Sequence, residues 1–140
     1  MDEPLTEELL NELLESSDPT DFVDRLPANK RGLAPYLNEM LVAHGKERND
    51  VIRASNLDHT YAYQILAGTR ANPSRNKILQ FAFAIGLTPR ETDRALQAGG
   101  ASRLYCKDRR DAIIIFCLDR GIQLQETNET LYRLGEEIVG

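Results

Sequence analysis

The side chains best equipped to act on a partner are His59, Thr60, Tyr63 and Gln64, which stand at i, i+1, i+4 and i+5. On a helix that spacing gathers an imidazole, a hydroxyl, a phenol and an amide on one face. Together they donate and accept hydrogen bonds without a fixed charge. Such a face is suited to matching the polar edges of a partner rather than to breaking bonds. Elsewhere the chain has no phosphate loop and no serine or cysteine nucleophile beside a placed base, and His44 and His59 lack metal-ligand spacing. Cys106 and Cys117 lie eleven residues apart, with too few partners for a disulfide framework or a zinc site. Cys117 falls in the apolar run 113–118 and reads as a small buried hydrophobe. Neither an enzyme nor a cofactor-bearing protein is expected.

The elements that position these residues are legible in residues 46–70, KERNDVIRASNLDHTYAYQILAGTR. A helix over about 47–54 turns Val51 and Ile52 inward. The tetrapeptide Ser55-Asn56-Leu57-Asp58 makes a turn, because Asn56 tolerates a left-handed backbone and Asp58 is a good N-cap. A second helix over 59–67 turns Ala62 and Ile65 inward, puts Leu66 at the edge of that face, and stops at Gly68. Two short helices joined by a three- to four-residue turn form a helix-turn-helix layout.

Helical spacing recurs along the rest of the chain, and no sustained period-two alternation marks a strand. Leu5, Leu9 and Leu13 form a stripe with Leu10 and Leu14 beside it, capped at Thr6 and closed by Asp18-Pro19. Phe22, Val23 and Leu26 make a second apolar cluster before Pro27. A helix over 33–43 ends at His44-Gly45. Pro73 is expected to open a helix that runs to Ile85 and stops at Gly86. Thr88-Pro89-Arg90-Glu91 reads as a capping box, and that helix closes at Gly99-Gly100.

A shift of 35 residues then superposes the sequence on itself. Arg75, Ile78, Phe81, Gly86, Glu91, Thr92, Leu96 and Gly100 meet Arg110, Ile113, Phe116, Gly121, Glu126, Thr127, Leu131 and Gly135, eight identities in 26 ungapped positions. Residues 107–138 are therefore expected to be a second helical hairpin, joined at Gly121 and stacked on the first.

At 140 residues the chain fits one domain, or one small domain with an appendage. Its longest apolar run, 112–118, is far short of the roughly 18 residues that span a bilayer, and the acidic N-terminus is the opposite of a secretory signal. No membrane association and a cytoplasmic location are expected. The net charge of −5 is unevenly spread. Residues 1–31 hold nine carboxylates against Arg25, Lys30 and Arg31, a net −6. Residues 32–103 hold nine Lys/Arg against six Asp/Glu, a net +3, and residues 104–140 a net −2. The middle of the chain is thus compatible with an anionic partner despite the overall sign.

Residues 34–100, about half the chain, resemble the lambda-repressor-like (Cro-type, XRE) helix-turn-helix family. The resemblance rests on the turn Ser55-Asn56-Leu57-Asp58, on Ala62 and Ile65, on Gly68, and on Arg70-Ala71-Asn72-Pro73-Ser74. It extends to residues 78–91, similar to the family's fourth helix and its junction with a fifth. It implies an all-α fold with three parts: an acidic helical arm over 1–31, a helix-turn-helix domain over 32–103, and a C-terminal hairpin over 104–140 that packs on or extends that domain.

By the same resemblance, the helix over 59–67 would enter the major groove of double-stranded DNA. His59, Thr60, Tyr63 and Gln64 would face base edges, with Gln64 pairing bidentately with adenine N6 and N7. Arg48 would touch phosphate at the start of the preceding helix. Arg70 and Asn72 would flank the opposite backbone, with Arg75 and Lys77 adding to it. The implied protein is a transcriptional regulator acting as a homodimer, paired through the C-terminal hairpin or the N-terminal helix. The leucine stripe of the acidic arm reads first as a helix docked on its own domain, and its acidity offers an interaction or autoinhibitory role as the alternative. Three features depart from the family pattern: residues 59–67 contain no arginine or lysine, Tyr61 and Tyr63 replace small residues, and Asn56 stands where glycine is common. They leave open a second reading, a protein-interaction adaptor on the same helical scaffold, using the acidic helix or the hairpin.

Overall fold

A computed structural model describes residues 6–15, 17–18, 20 and 32–140. The cluster of Phe22, Val23 and Leu26 lies outside the described residues. The chain divides into two compact units, Met1–Lys30 and Arg31–Gly140. The described residues are helical and contain no strand. Among them, no helix is long and apolar enough to cross a membrane.

In the first unit, α1 spans Thr6–Glu15. Leu10, Leu13 and Leu14 on it are exposed. After it, Asp18 Oδ1 accepts from the Thr20 amide at 3.0 Å and the Thr20 hydroxyl at 2.8 Å. These bonds hold the Asp18 carboxyl below its ordinary pKa.

The second unit holds α2 (Leu33–Ala43), α3 (Arg48–Ala54), α4 (His59–Ala67), α5 (Arg75–Ile85), α6 (Pro89–Ala98), α7 (Arg109–Asp119) and α8 (Leu124–Arg133). Local chemistry sets most of these bounds. The Asp58 carboxylate accepts from the Tyr61 amide at 3.1 Å and opens α4. Gly68, at φ 87°, closes it. Thr88 and Glu91 form a reciprocal capping box at the start of α6, with Pro89 in its first turn. Pro73, expected at the start of α5, instead lies buried two residues before it. Ser74 intervenes with an extended backbone, ψ 158°, so the helix begins after Ser74.

One continuous core runs through the unit. Leu33, Leu37 and Leu41 of α2 meet Val51 and Ile52 of α3, Ala62 and Ile65 of α4, and the apolar residues of α5 and α6. It continues without a break into Ile114, Cys117, Leu118, Leu131 and Val139. The α3–α4 turn is fastened from within. Ser55 is fully buried; its hydroxyl donates to the Ile52 carbonyl at 2.7 Å and accepts from the Leu57 amide at 3.2 Å. The buried Gln80 of α5 donates to the Ser55 carbonyl at 3.0 Å.

The 35-residue repeat reappears as a repeat of tertiary hydrogen bonds. Asp93 accepts from the Leu104 amide at 2.8 Å, and Asn128 accepts from the Val139 amide at 2.7 Å. Arg75 donates to the carbonyls of Ser102 and Arg103, as Arg110 does to those of Glu137 and Ile138. The buried hydroxyls of Thr92 and Thr127 each return to a carbonyl four residues earlier.

The two hairpins meet reciprocally rather than as successive layers of a stack. Helix α5 packs on α8 and α6 on α7. Arg75 pairs with Asp111, while Arg110 donates to Asn76 at 2.8 Å. This is the pattern of an isologous interface formed within one chain. Phe81 is fully buried, yet its counterpart Phe116 is half exposed, with the Arg120 guanidinium 4.1 Å above its ring. The surroundings differ: α2 and α3 pack on the first hairpin, whereas the second packs chiefly on the first.

Candidate nucleic-acid interface

Helix α4 presents a buried side and a solvent-facing side. Ala62, Ile65 and Leu66 are buried; Leu66, expected at the edge of that face, is only 2% exposed. His59, Thr60 and Tyr63 are exposed on the opposite side with Gln64 half-buried beside them. The four polar residues singled out by their spacing therefore share one solvent-facing surface. At 100° per residue, Tyr63 and His59 border one flank of that surface and Gln64 the other.

Each flank is tied to basic residues. On the first, the Tyr63 hydroxyl donates to Asn49 Oδ1 at 3.3 Å, linking α4 to the start of α3. Arg48, next to Asn49 and exposed, donates from Nη2 to Asn38 Oδ1 at 3.3 Å. Asn38 in turn donates to the carbonyls of Ala34 and Leu66, at 2.8 and 2.9 Å, and so joins α2 to the last turn of α4. On the second flank, Arg70 Nε donates to Gln64 Oε1 at 2.8 Å. The Arg70 guanidinium lies 4.8 Å from the centroid of the half-buried Tyr61 ring, and the Lys77 ammonium lies 5.2 Å from the same centroid.

Two residues expected at a phosphate backbone hydrogen-bond to other elements of the fold. Asn72 Nδ2 donates to the Gly99 carbonyl at 2.9 Å, which fastens the loop after α4 to the end of α6. Arg75 uses four of its five N–H donors: two on the Asp111 carboxylate at 2.8 and 2.9 Å, one on the Ser102 carbonyl and one on that of Arg103. Its hydrogen bond to Asp111 raises the guanidinium's pKa. Burial pushes the Asp111 carboxyl up, but the Arg75 fork and the Tyr105 amide outweigh it and hold the group below its ordinary value. Arg75 thus binds the second hairpin to the first. Of the five residues expected at phosphate, Arg48, Arg70 and Lys77 lie at the border of the α4 surface.

Spacing alone did not single out Asn38, Asn49 or Tyr61, which align the basic residues. The contacts of Asn38 with Leu66, Asn49 with Tyr63 and Tyr61 with Arg70 join positions 28, 14 and 9 apart in the chain, beyond a single helical turn. Arg103 is exposed, and the bonds of Arg75 to residues 102 and 103 bring it to the start of α5.

Beneath the site, His44 Nε2 and Glu91 Oε1 are 2.9 Å apart and couple the end of α2 to the start of α6. Burial raises the Glu91 carboxyl, but the Thr88 amide and His44 more than offset it, so its pKa lies below the ordinary value.

The arrangement is a hydrogen-bonding strip of about one and a half helical turns from His59 to Gln64, with cations on both borders. No family model, curated protein or solved structure matches the chain.

Proposed function

We propose that residues 34–100 form a lambda-repressor-like helix-turn-helix and that the chain is a sequence-specific regulator of transcription binding double-stranded DNA. Helix α4 lies in the major groove with His59, Thr60, Tyr63 and Gln64 toward base edges. Arg48 meets phosphate on one side of the groove, and Arg70 and Lys77 meet it on the other. The observation that carries this reading is the pairing of an uncharged, solvent-facing polar strip on α4 with cations on both of its borders. A duplex presents that same order, with base edges between two phosphate rails. The regulator works in the cytoplasm as a homodimer on two half-sites about one helical turn apart, since one module alone buries little surface.

A second reading, a protein-interaction adaptor on this scaffold, has one observation in its favour. The second hairpin exposes the apolar side chains of Phe116, Tyr132, Leu134 and Ile138, which a protein partner would cover.

Substitution separates the two readings. Against duplexes selected from a random pool, Gln64→Ala relaxes preference at one base pair by ~1–3 kcal/mol. Arg48→Ala weakens all sequences alike and flattens the salt slope by about one. An adaptor leaves both variants indistinguishable from the parent on DNA.

A further inference from the structure

We infer that Arg70 is a positioning residue for specificity: by holding the Gln64 amide in one orientation, it makes base preference depend on the loop after α4. The inference rests on the DNA-binding reading and goes beyond a phosphate role for Arg70. A glutamine amide has an acceptor end and a donor end of nearly the same shape, and turning it over exchanges them. A Gln64 free to turn over would match different base edges in its two orientations. Arginine can only donate. Its Nε lies 2.8 Å from the Gln64 side-chain oxygen, so the carbonyl end must face the loop and the NH2 end must face away. The oxygen keeps a second lone pair for a base, which preserves the bidentate match to adenine and removes the reversed one.

Arg70 is itself held from three directions. Gly68 turns the chain back through a left-handed φ of 87°, and the Arg70 amide donates to the Gln64 carbonyl at 3.2 Å. The guanidinium lies over the Tyr61 ring, 4.8 Å from its centroid. That ring is packed against the core, which fixes it from beneath. Lys77 shares the ring at 5.2 Å. A DNA phosphate bound by the guanidinium donors that Gln64 does not use would hold Arg70 in place. Backbone contact and base reading are thereby coupled through one side chain.

The test uses the full chain and duplexes selected by the parent protein from a random pool. Dissociation constants are measured by fluorescence anisotropy for the selected duplex and for every single-base-pair variant, across a salt series. The proteins compared are the parent, Gln64→Ala, Arg70→Lys and the double variant, each checked for parental helicity by circular dichroism. Arg70→Lys keeps the charge, but a compact ammonium cannot stack on Tyr61 and present the same planar donor to Gln64. It is expected to lose about tenfold discrimination at the base pair that Gln64→Ala also relaxes, with its salt slope within about one of the parent's. The double variant should discriminate no worse than Gln64→Ala alone. Parental discrimination by Arg70→Lys, or a loss at a different base pair, would overturn the inference and leave DNA binding standing. Failure of the parent to bind any duplex would overturn both.

Discussion

Among the described residues, Asn56 is the side-chain-bearing residue with a left-handed backbone, a φ of 61° at the bend between α3 and α4. A left-handed backbone costs most L-residues roughly 1–2 kcal/mol, and asparagine bears it more easily than most. The expected outcomes are opposite for two substitutions. Asn56→Gly should leave the urea unfolding midpoint unchanged or slightly raised, because glycine adopts this conformation freely. Asn56→Val should lower stability by roughly 1–2 kcal/mol, since a β-branched side chain fits that backbone poorly. Equal stability of the two variants would mean that the turn can re-form in another geometry. Gln80 supports the same bend from below through the Ser55 carbonyl. Replacing Gln80 by alanine leaves that buried acceptor unpaired and should cost about 1–3 kcal/mol in urea denaturation. A cost near zero would show that water or another donor takes its place.

Between elements, the strongest single tie is the fork of Arg75 on Asp111, which is only 8% exposed. Removing the arginine strands a carboxylate between the hairpins, so Arg75→Ala should lose roughly 3 kcal/mol. The pH dependence follows in sign. The folded pKa of Asp111 lies below its ordinary 3.8, so the folded state binds its proton less readily than the unfolded chain. The contribution is fully present above about pH 4 and is lost as pH falls through the lower folded value. Glu91, also lowered, acts in the same direction. The urea midpoint should therefore fall as the pH drops below about 4, and Arg75→Ala should show a shallower fall than the parent. An unchanged profile in that variant would refute the role given to the fork.

What could be read from the sequence at this scale was whatever local chemistry dictates. The bounds of α2, α4 and α6 follow from Gly68, Thr88, Pro89 and helical periodicity, and the observed helices span 33–43, 59–67 and 89–98. The second hairpin was visible because Gly121, Thr127 and Leu131 repeat Gly86, Thr92 and Leu96. Its mode of packing was not visible. Reciprocal pairing of Arg75 with Asp111 and of Arg110 with Asn76 joins residues 34 to 36 apart, and no helical spacing encodes that. The same limit applies to Asn72 and Arg75, which look like exposed polar residues until Gly99 and Asp111 arrive beside them. On α4, the outward set His59, Thr60, Tyr63 and Gln64 followed from periodicity, whereas the tie of Gln64 to Arg70 depended on how Gly68 redirects the loop.

Within the Arg31–Gly140 unit one core runs throughout, and the second hairpin is joined to the α3–α4 pair through α5 and α6. Rigid support matters for the proposed function because base reading requires α4 to be held in one orientation. Charge is the harder constraint. The chain carries −5 overall, most of it in residues 1–31, while residues 32–103 are net +3. Attraction to DNA must then come from few cations at short range, chiefly Arg48, Arg70 and Lys77, and must weaken steeply with salt. The most direct measurement is an anisotropy titration of the full chain with selected duplexes between about 50 and 200 mM salt. The account predicts saturable binding at the low end and a log–log decline with salt, with one sequence bound at least tenfold better than random duplex. No binding at ~50 mM salt, where counterion release favours the complex most, would contradict it.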